Sequence, residues 1–303
     1  MKPDLSGLLV PITTPYDPVT GDVAPVPLRG NARALLDAGA DGIVAAGSTG
    51  EAPLLSESEY RRIVGWMRDV VPDDRWLIAG AGRESTRATI TACVVAAEEG
   101  ADAVLVRPPA YYGPALTTAA LLEHFRRVAD QSPVRVLLYN IPKYTHLSLS
   151  DRILAGLAEH PNVAGAKDSS GDLKNFAAYR DAAPAWAMFV GSGSHYYAAL
   201  ELGAAGGILA VANLAATIAV GLHEAFVAGD KTRAGAAQER LTPLNRAAVV
   251  EHGVAGVKAA MDIVGLQGGP VRAPLRDLAD GERDSLHRML RAAGLSEERA
   301  GDV

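Results

Sequence analysis

The chain has 303 residues, 49% apolar and 21% charged, which suits a protein built around one large buried core. A formal net charge of −6 without any basic stripe excludes a nucleic-acid footprint. No stretch approaches the roughly 20 uninterrupted apolar residues of a membrane-spanning helix, so no membrane partner is expected.

From residue 8 to about residue 228, short β-branched apolar runs alternate with longer helical patterns. Strands are expected at residues 8–13, 42–46, 76–79, 103–106, 135–139, 163–166, 187–190 and 207–210. Each is nearly continuously apolar, as a strand covered on both faces must be. Helices are expected between them, clearest at residues 56–70, 85–99, 117–130 and 172–182. The first of these opens with a Ser56-x-x-Glu59 capping box. Helix stops recur as Gly39-Ala40-Asp41 and Gly100-Ala101-Asp102, and in relaxed form as Gly203-Ala204-Ala205-Gly206. A glycine just past a helix end supplies the left-handed residue that terminates it. The recurrence argues for a repeated βα unit, and eight such units predict an α/β fold, a (β/α)8 TIM barrel, over residues 1–228. Beyond it the pattern becomes all-helical, at 231–250, 254–264 and 281–293. Residues 229–303 therefore read as a C-terminal helical extension packed on the barrel, with a polar, fraying tail from residue 296.

A barrel carries its chemistry at the C-terminal ends of its strands and in the loops that follow. That rule selects Gly47-Ser48-Thr49-Gly50-Glu51 after the second strand, Tyr139-Asn140-Ile141-Pro142 at the fifth, Lys167 at the sixth and Gly191-Ser192-Gly193-Ser194-His195 after the seventh. Of the six lysines, only Lys167 ends a strand with apolar residues before it. A desolvated lysine is the nucleophile that forms Schiff bases with carbonyl compounds, so a 2-oxo substrate is expected. The alternative is a structural lysine paired with Asp168 or Glu51. Tyr139 and Lys167 end adjacent strands, which lie about 4.8 Å apart, so a phenol and an amine can reach one carbon. The Gly47–Glu51 segment offers consecutive N–H groups and two hydroxyls, a cradle for a small carboxylate or else an ordinary βα turn. The Gly191–Ser194 segment could hold an anion similarly, but it lacks the Gly-Lys-Ser/Thr ending of a nucleotide loop.

Other chemistries find little support. The seven histidines show neither His-x-His nor His-x3-His spacing and fall mostly in helical stretches, where solvated positions account for them; no metal and no cofactor are expected. Cys93 has no second thiol to pair with and reads as a small buried side chain, the cysteine usage of a cytoplasmic protein. The N-terminal residues hold no apolar core of signal-peptide length.

Taken together, these motifs resemble the dihydrodipicolinate synthase / N-acetylneuraminate lyase family of class I, pyruvate-type aldolases. The resemblance rests on Gly47-Ser48-Thr49-Gly50-Glu51, Pro108-Pro109-Ala110-Tyr111-Tyr112, Tyr139-Asn140-Ile141-Pro142, Gly165-Ala166-Lys167-Asp168 and Gly268-Gly269-Pro270-Val271-Arg272-Ala273-Pro274-Leu275, in order from about residue 7 to 293. It implies that Lys167 forms the imine, that Tyr139 shuttles protons and that Ser48 and Thr49 bind the pyruvate carboxylate. Ser48 would also link Tyr139 into the proton relay. The Ile208 carbonyl and Gly191 would face the substrate. Tyr111 would complete the relay from a neighbouring subunit, in a homotetramer built as a pair of dimers.

In dihydrodipicolinate synthases an arginine two residues past the Tyr-Asn-x-Pro motif binds the aldehyde partner's carboxylate. Here Tyr144 stands at that place, beside Lys143. Residues 82–89, 188–193 and 256–262 are similar to 4-hydroxy-2-oxoglutarate aldolases, which points to cleavage of that acid into pyruvate and glyoxylate. The alternatives are 4-hydroxy-tetrahydrodipicolinate synthesis and cleavage of 2-keto-3-deoxy sugar acids or sialic acid. From other classes come a pyruvate-binding regulatory barrel without turnover and a metal-dependent hydrolase.

Overall fold

Eight parallel strands pair in chain order and close on themselves, β1 against β8. The computed structural model describes residues 4–296. The strands are β1 (Gly7–Pro11), β2 (Gly42–Ala45), β3 (Trp76–Gly80), β4 (Ala103–Val106), β5 (Arg135–Asn140), β6 (Val163–Asp168), β7 (Ala187–Val190) and β8 (Gly206–Ile208). Around them lie α1 (Pro25–Asp37), α2 (Glu57–Arg68), α3 (Thr86–Glu98), α4 (Thr118–Gln131), the short α5 (Pro142–Thr145) and α6 (Asp151–Ala155), α7 (Leu173–Ala182), α8 (Tyr196–Glu201) and α9 (Ala212–Val227). Three further helices follow, α10 (Lys231–Leu244), α11 (Gly253–Ile263) and α12 (Asp280–Ala292). The expected TIM barrel with helices beyond it is the fold observed.

The local signals act as their chemistry dictates. Ser56 Oγ accepts from the Glu59 N–H at 3.2 Å and the Glu59 carboxylate accepts from the Ser56 N–H at 2.8 Å, closing the capping box of α2. Gly39, Gly100 and Gly203 take φ of 98°, 87° and 89° after α1, α3 and α8. The aspartate after the first two of these glycines binds the neighbouring strand. Asp41 accepts from the Leu8 N–H and Asp102 from the Leu77 N–H, both at 2.8 Å, so the helix stop also sets strand register.

Side chains alternate between two cores. One lies between strands and helices; the other fills the barrel with Leu9, Val44, Ile78, Leu105, Leu137, Phe189 and Ile208. β6 breaks the alternation. Val136 pairs with Val163 but Leu137 pairs with Gly165, leaving Ala164 as a bulged extra residue. The bulge advances the register by one, so that Lys167 rather than Ala166 lies opposite Tyr139.

Several element boundaries differ from the sequence expectation. β5 and β6 run on to Asn140 and Asp168, which places Lys167 within a strand instead of just past one, and β8 stops at Ile208. The helix expected at 231–250 ends at Leu244, after Pro243 has withheld an N–H from its ladder, and Asn245–Glu251 runs as a π-helix. The histidines are not uniformly solvated. His124 is buried, with Nδ1 2.9 Å from Thr86 Oγ1, and burial pushes its imidazole down to about 4. The tail expected to fray lies, from residue 297, outside the described residues. Among the described residues no helix is long and apolar enough to cross a membrane, and no cluster of three or more His, Cys, Asp or Glu could hold a metal ion.

Candidate active site

Lys167 and Tyr139 meet inside the barrel, near the C-terminal ends of their strands. Lys167 Nζ donates to the Tyr139 hydroxyl at 3.3 Å and stands 4.4 Å from the centroid of its ring. Both residues are only 5% exposed. Neither carboxylate considered as a structural partner reaches the amine. Asp168 accepts from the Asn140 side chain (2.8 Å), the Ser170 N–H (3.0 Å) and the Ser170 hydroxyl (2.7 Å), which fixes the strand end and the turn after it. Glu51 is held by Lys258 at 2.6 Å. Among the described residues, Lys167 has no ion-pair partner.

A cavity of about 450 Å³ opens above this pair, and most of the expected site residues line it: Ser48, Thr49, Tyr139, Tyr144, Lys167, Gly191 and Ile208. A second hollow of about 520 Å³ adjoins it, sharing Ser48, Tyr139 and Tyr144 and extending toward Glu84 and Arg107. Gly191 is there for want of space: a Cβ would strike Ser169 Oγ and sit 3.0 Å from Lys167 Cε. The Ser48–Thr49 loop is held in a tight shape, with Ala46 and Glu51 at φ 49° and 59°. The Thr14 hydroxyl donates to the Gly50 carbonyl at 2.7 Å. No hydrogen bond joins Ser48 to Tyr139; the phenol's partner is Lys167.

Tyr144 is half-exposed at the cavity rim, and burial together with the neighbouring Tyr139 raises its phenol above the usual tyrosine range. Lys143, which also borders the cavity, donates to the Val250 carbonyl at 3.2 Å. Tyr111 does not join the Lys167 cavity of its own chain. It is 81% exposed, stacked edge-on against Tyr112 with ring centroids 5.0 Å apart, on a loop whose Ala110 and Tyr111 N–H groups donate to Glu84 at 2.9 Å each.

The structure also reveals supports that sequence reasoning passed over. Lys258, 1% exposed, donates to Glu51 and, at 2.7 Å, to the Pro270 carbonyl. Arg272 donates through its backbone N–H to Glu51 at 2.8 Å and through its guanidinium to Glu59 at 2.7 Å. Lys258 and Arg272 lie 4.3 and 4.2 Å from the Tyr16 ring centroid. Burial lowers Lys258 below the ordinary lysine range while the Glu51 charge pulls the other way. The available signal was a charged residue within the apolar stretch Val257-Lys258-Ala259-Ala260-Met261. Through this network the Gly268–Leu275 segment and α11 brace the loop bearing Ser48 and Thr49. Chemically, the site sets an amine, a phenol and a pair of hydroxyls around one cavity, the parts needed for carbonyl addition with proton transfer.

The chain is similar to known proteins over nearly its whole length. A DapA-like lyase of Halobacterium salinarum is 40% identical over 291 residues, 96% of this chain and 95% of that one. A 4-hydroxy-tetrahydrodipicolinate synthase of Methanopyrus kandleri is 33% identical over 296 residues, covering 97% and 98% of the two chains. Among solved structures, the chloride-inhibited dihydrodipicolinate synthase of Acinetobacter baumannii complexed with pyruvate superimposes with a TM-score of 0.91 at 32% identity, over 96% of this chain and 99% of that one. A prophage protein of the dihydrodipicolinic acid synthase family from E. coli K12, also in complex with pyruvate, gives a TM-score of 0.91 at 26% identity, over 96% and 99%. The model of the dihydrodipicolinate synthetase family matches residues 4–293. The chain belongs to that family, and is a lyase of the pyruvate-dependent class I aldolase type.

Proposed function

We propose that the chain cleaves 4-hydroxy-2-oxoglutarate to pyruvate and glyoxylate through a Schiff base on Lys167. The observation that carries this reading is the buried Lys167 amine, 3.3 Å from the Tyr139 hydroxyl and free of any carboxylate among the described residues. The amine adds to the C2 carbonyl, and Tyr139 relays the proton that lets the carbinolamine lose water. As the C4 hydroxyl gives up its proton, the C3–C4 bond breaks. Its electron pair moves into the iminium to form an enamine, and C4 departs as the aldehyde carbon of glyoxylate. Protonation at C3 and hydrolysis release pyruvate and restore the amine.

In this reading Ser48 and Thr49 hold the C1 carboxylate, while Gly191 and the Ile208 carbonyl face the pyruvate-derived carbons. Tyr144 borders the aldehyde end. The exposure of Tyr111 suits a residue completed by a second copy of the chain, within the homotetramer that the family resemblance implies. A second reading, synthesis of 4-hydroxy-tetrahydrodipicolinate, is favoured by the Methanopyrus kandleri relative so named. Against it stands Tyr144 in place of a carboxylate-binding arginine. A lactate-dehydrogenase-coupled screen of 2-oxo acids for pyruvate release separates the two. Release from 4-hydroxy-2-oxoglutarate above all others supports the first reading; turnover only in the condensing direction overturns it.

The role of Tyr139 has its own test. Tyr139→Phe should lower pyruvate release by about 10²–10⁴-fold, the range of a lost general acid–base. Borohydride should still trap pyruvate on Lys167, but more slowly. Undiminished turnover in the phenylalanine variant removes the proton-relay assignment.

A further inference from the structure

We propose that Arg246 is a specificity residue of the Lys167 cavity, receiving a second anionic group at the far end of a 2-oxo acid. The proposal rests on the imine reading above. Its first support is the charge of the lining. Lys143, Lys167, His195 and Arg246 all border the cavity and no aspartate or glutamate does, although the chain carries 35 acidic residues against 29 basic ones. A pocket so biased in a net acidic protein suits a substrate with more than one negative group.

The second support is that the other three basic groups are engaged. Lys167 donates to Tyr139, Lys143 to the Val250 carbonyl, and His195 Nδ1 lies 3.1 Å from Ser192 Oγ. Arg246 alone of the four has no hydrogen-bond or ion-pair partner among the described residues, and it is exposed at the cavity mouth. A guanidinium offers a planar fork of donors matched to a carboxylate.

The third support is its mounting. Arg246 sits in the π-helix Asn245–Glu251, a local geometry frequent at functional sites. The adjacent Asn245, 2% exposed, donates to Ser194 Oγ at 2.9 Å and so pins the turn to the loop after β7. Gly193 is closely surrounded there: a Cβ would come 2.6 Å from Val211 Cγ1 and 3.0 Å from Asn245 Oδ1. The backbone under Arg246 is therefore anchored to the same loop that borders Lys167, while its side chain is left uncommitted.

The test compares two five-carbon acids that differ only at the far end, 2-oxoglutarate and 2-oxopentanoate, by borohydride trapping at Lys167. In the unaltered protein 2-oxoglutarate should half-saturate trapping at about tenfold lower concentration or less, the scale of one charge-assisted hydrogen-bonded pair. Arg246→Gln should bring the two acids to nearly equal concentrations, and Arg246→Lys should recover part of the difference. Equal half-saturation in the unaltered protein, trapping of pyruvate but of neither longer acid, or a preference untouched by Arg246→Gln each overturn the assignment and leave the imine intact. Absence of trapping with pyruvate itself overturns the imine reading and this proposal with it.

Discussion

Lys167→Ala is expected to bring pyruvate release from any 2-oxo acid to background, a fall of at least about 10⁴-fold, the scale on which loss of a covalent nucleophile acts. The same variant should gain no mass on borohydride treatment with pyruvate, whereas the unaltered chain should gain it on the peptide containing Lys167. Inactivity alone does not separate a nucleophile from a residue needed for folding, and the structure supplies the distinction. Lys167 is 5% exposed, and its amine has Tyr139 as its partner and no counter-charge among the described residues. Such an arrangement costs stability, because an amine taken from water is repaid only by strong ionic partners. Lys167→Met, which fills similar volume without the amine, should therefore melt at or above the temperature of the unaltered chain while remaining inactive. An inactive methionine variant that melts well below it would mark Lys167 as structural, and normal turnover in the alanine variant would end the aldolase reading.

That pairing of amine and phenol was only half legible in the sequence. The alternation of short apolar runs with helical patterns, stopped by Gly39, Gly100 and Gly203, exposes the barrel because both signals are local. A strand's place in the order then assigns Lys167 and Tyr139 to neighbouring positions. What no local signal carries is the bulge at Ala164, which decides whether Tyr139 faces Ala166 or Lys167. Nothing in Val163-Ala164-Gly165-Ala166 announces it. A bulge is settled between two strands, and here an ordinary side chain at Gly165 would run into the Ala187 carbonyl of the next strand. The π-helix at Asn245–Glu251 escaped for a similar reason. Pro243 signals an interruption, but a wider helix only becomes apparent once Asn245 is tied to Ser194, 51 residues earlier in sequence. Tyr111 illustrates the opposite case. The sequence assigns it to the site through a second copy, and one chain leaves it facing solvent.

The Glu51–Lys258 pair was the least legible of all, since it spans 207 residues, and removing either partner should have the second large effect. Both side chains are essentially sealed from solvent, at 0% and 1% exposure. Among the described residues, Glu51→Ala leaves an ammonium that retains only the Pro270 carbonyl and the Tyr16 ring, and Lys258→Met leaves a carboxylate that retains only the Arg272 N–H. Each should destabilise the chain by about 3–5 kcal/mol, the usual consequence of stranding one member of a buried pair. The double variant removes both charges and should melt above either single variant, because a buried pair adds far less net stability than its disruption removes. Glu51→Gln separates bracing from charge. It can still accept from the Arg272 N–H, yet it loses the ionic tie that fixes the left-handed residue next to Gly50. Its effect should show in the half-saturating pyruvate concentration for borohydride trapping, which should rise as the Ser48–Thr49 cradle loosens, with smaller change in trapping at saturation. Additive losses in the double variant would mean that the two residues act separately, and that the C-terminal helices do not brace the loop through this contact.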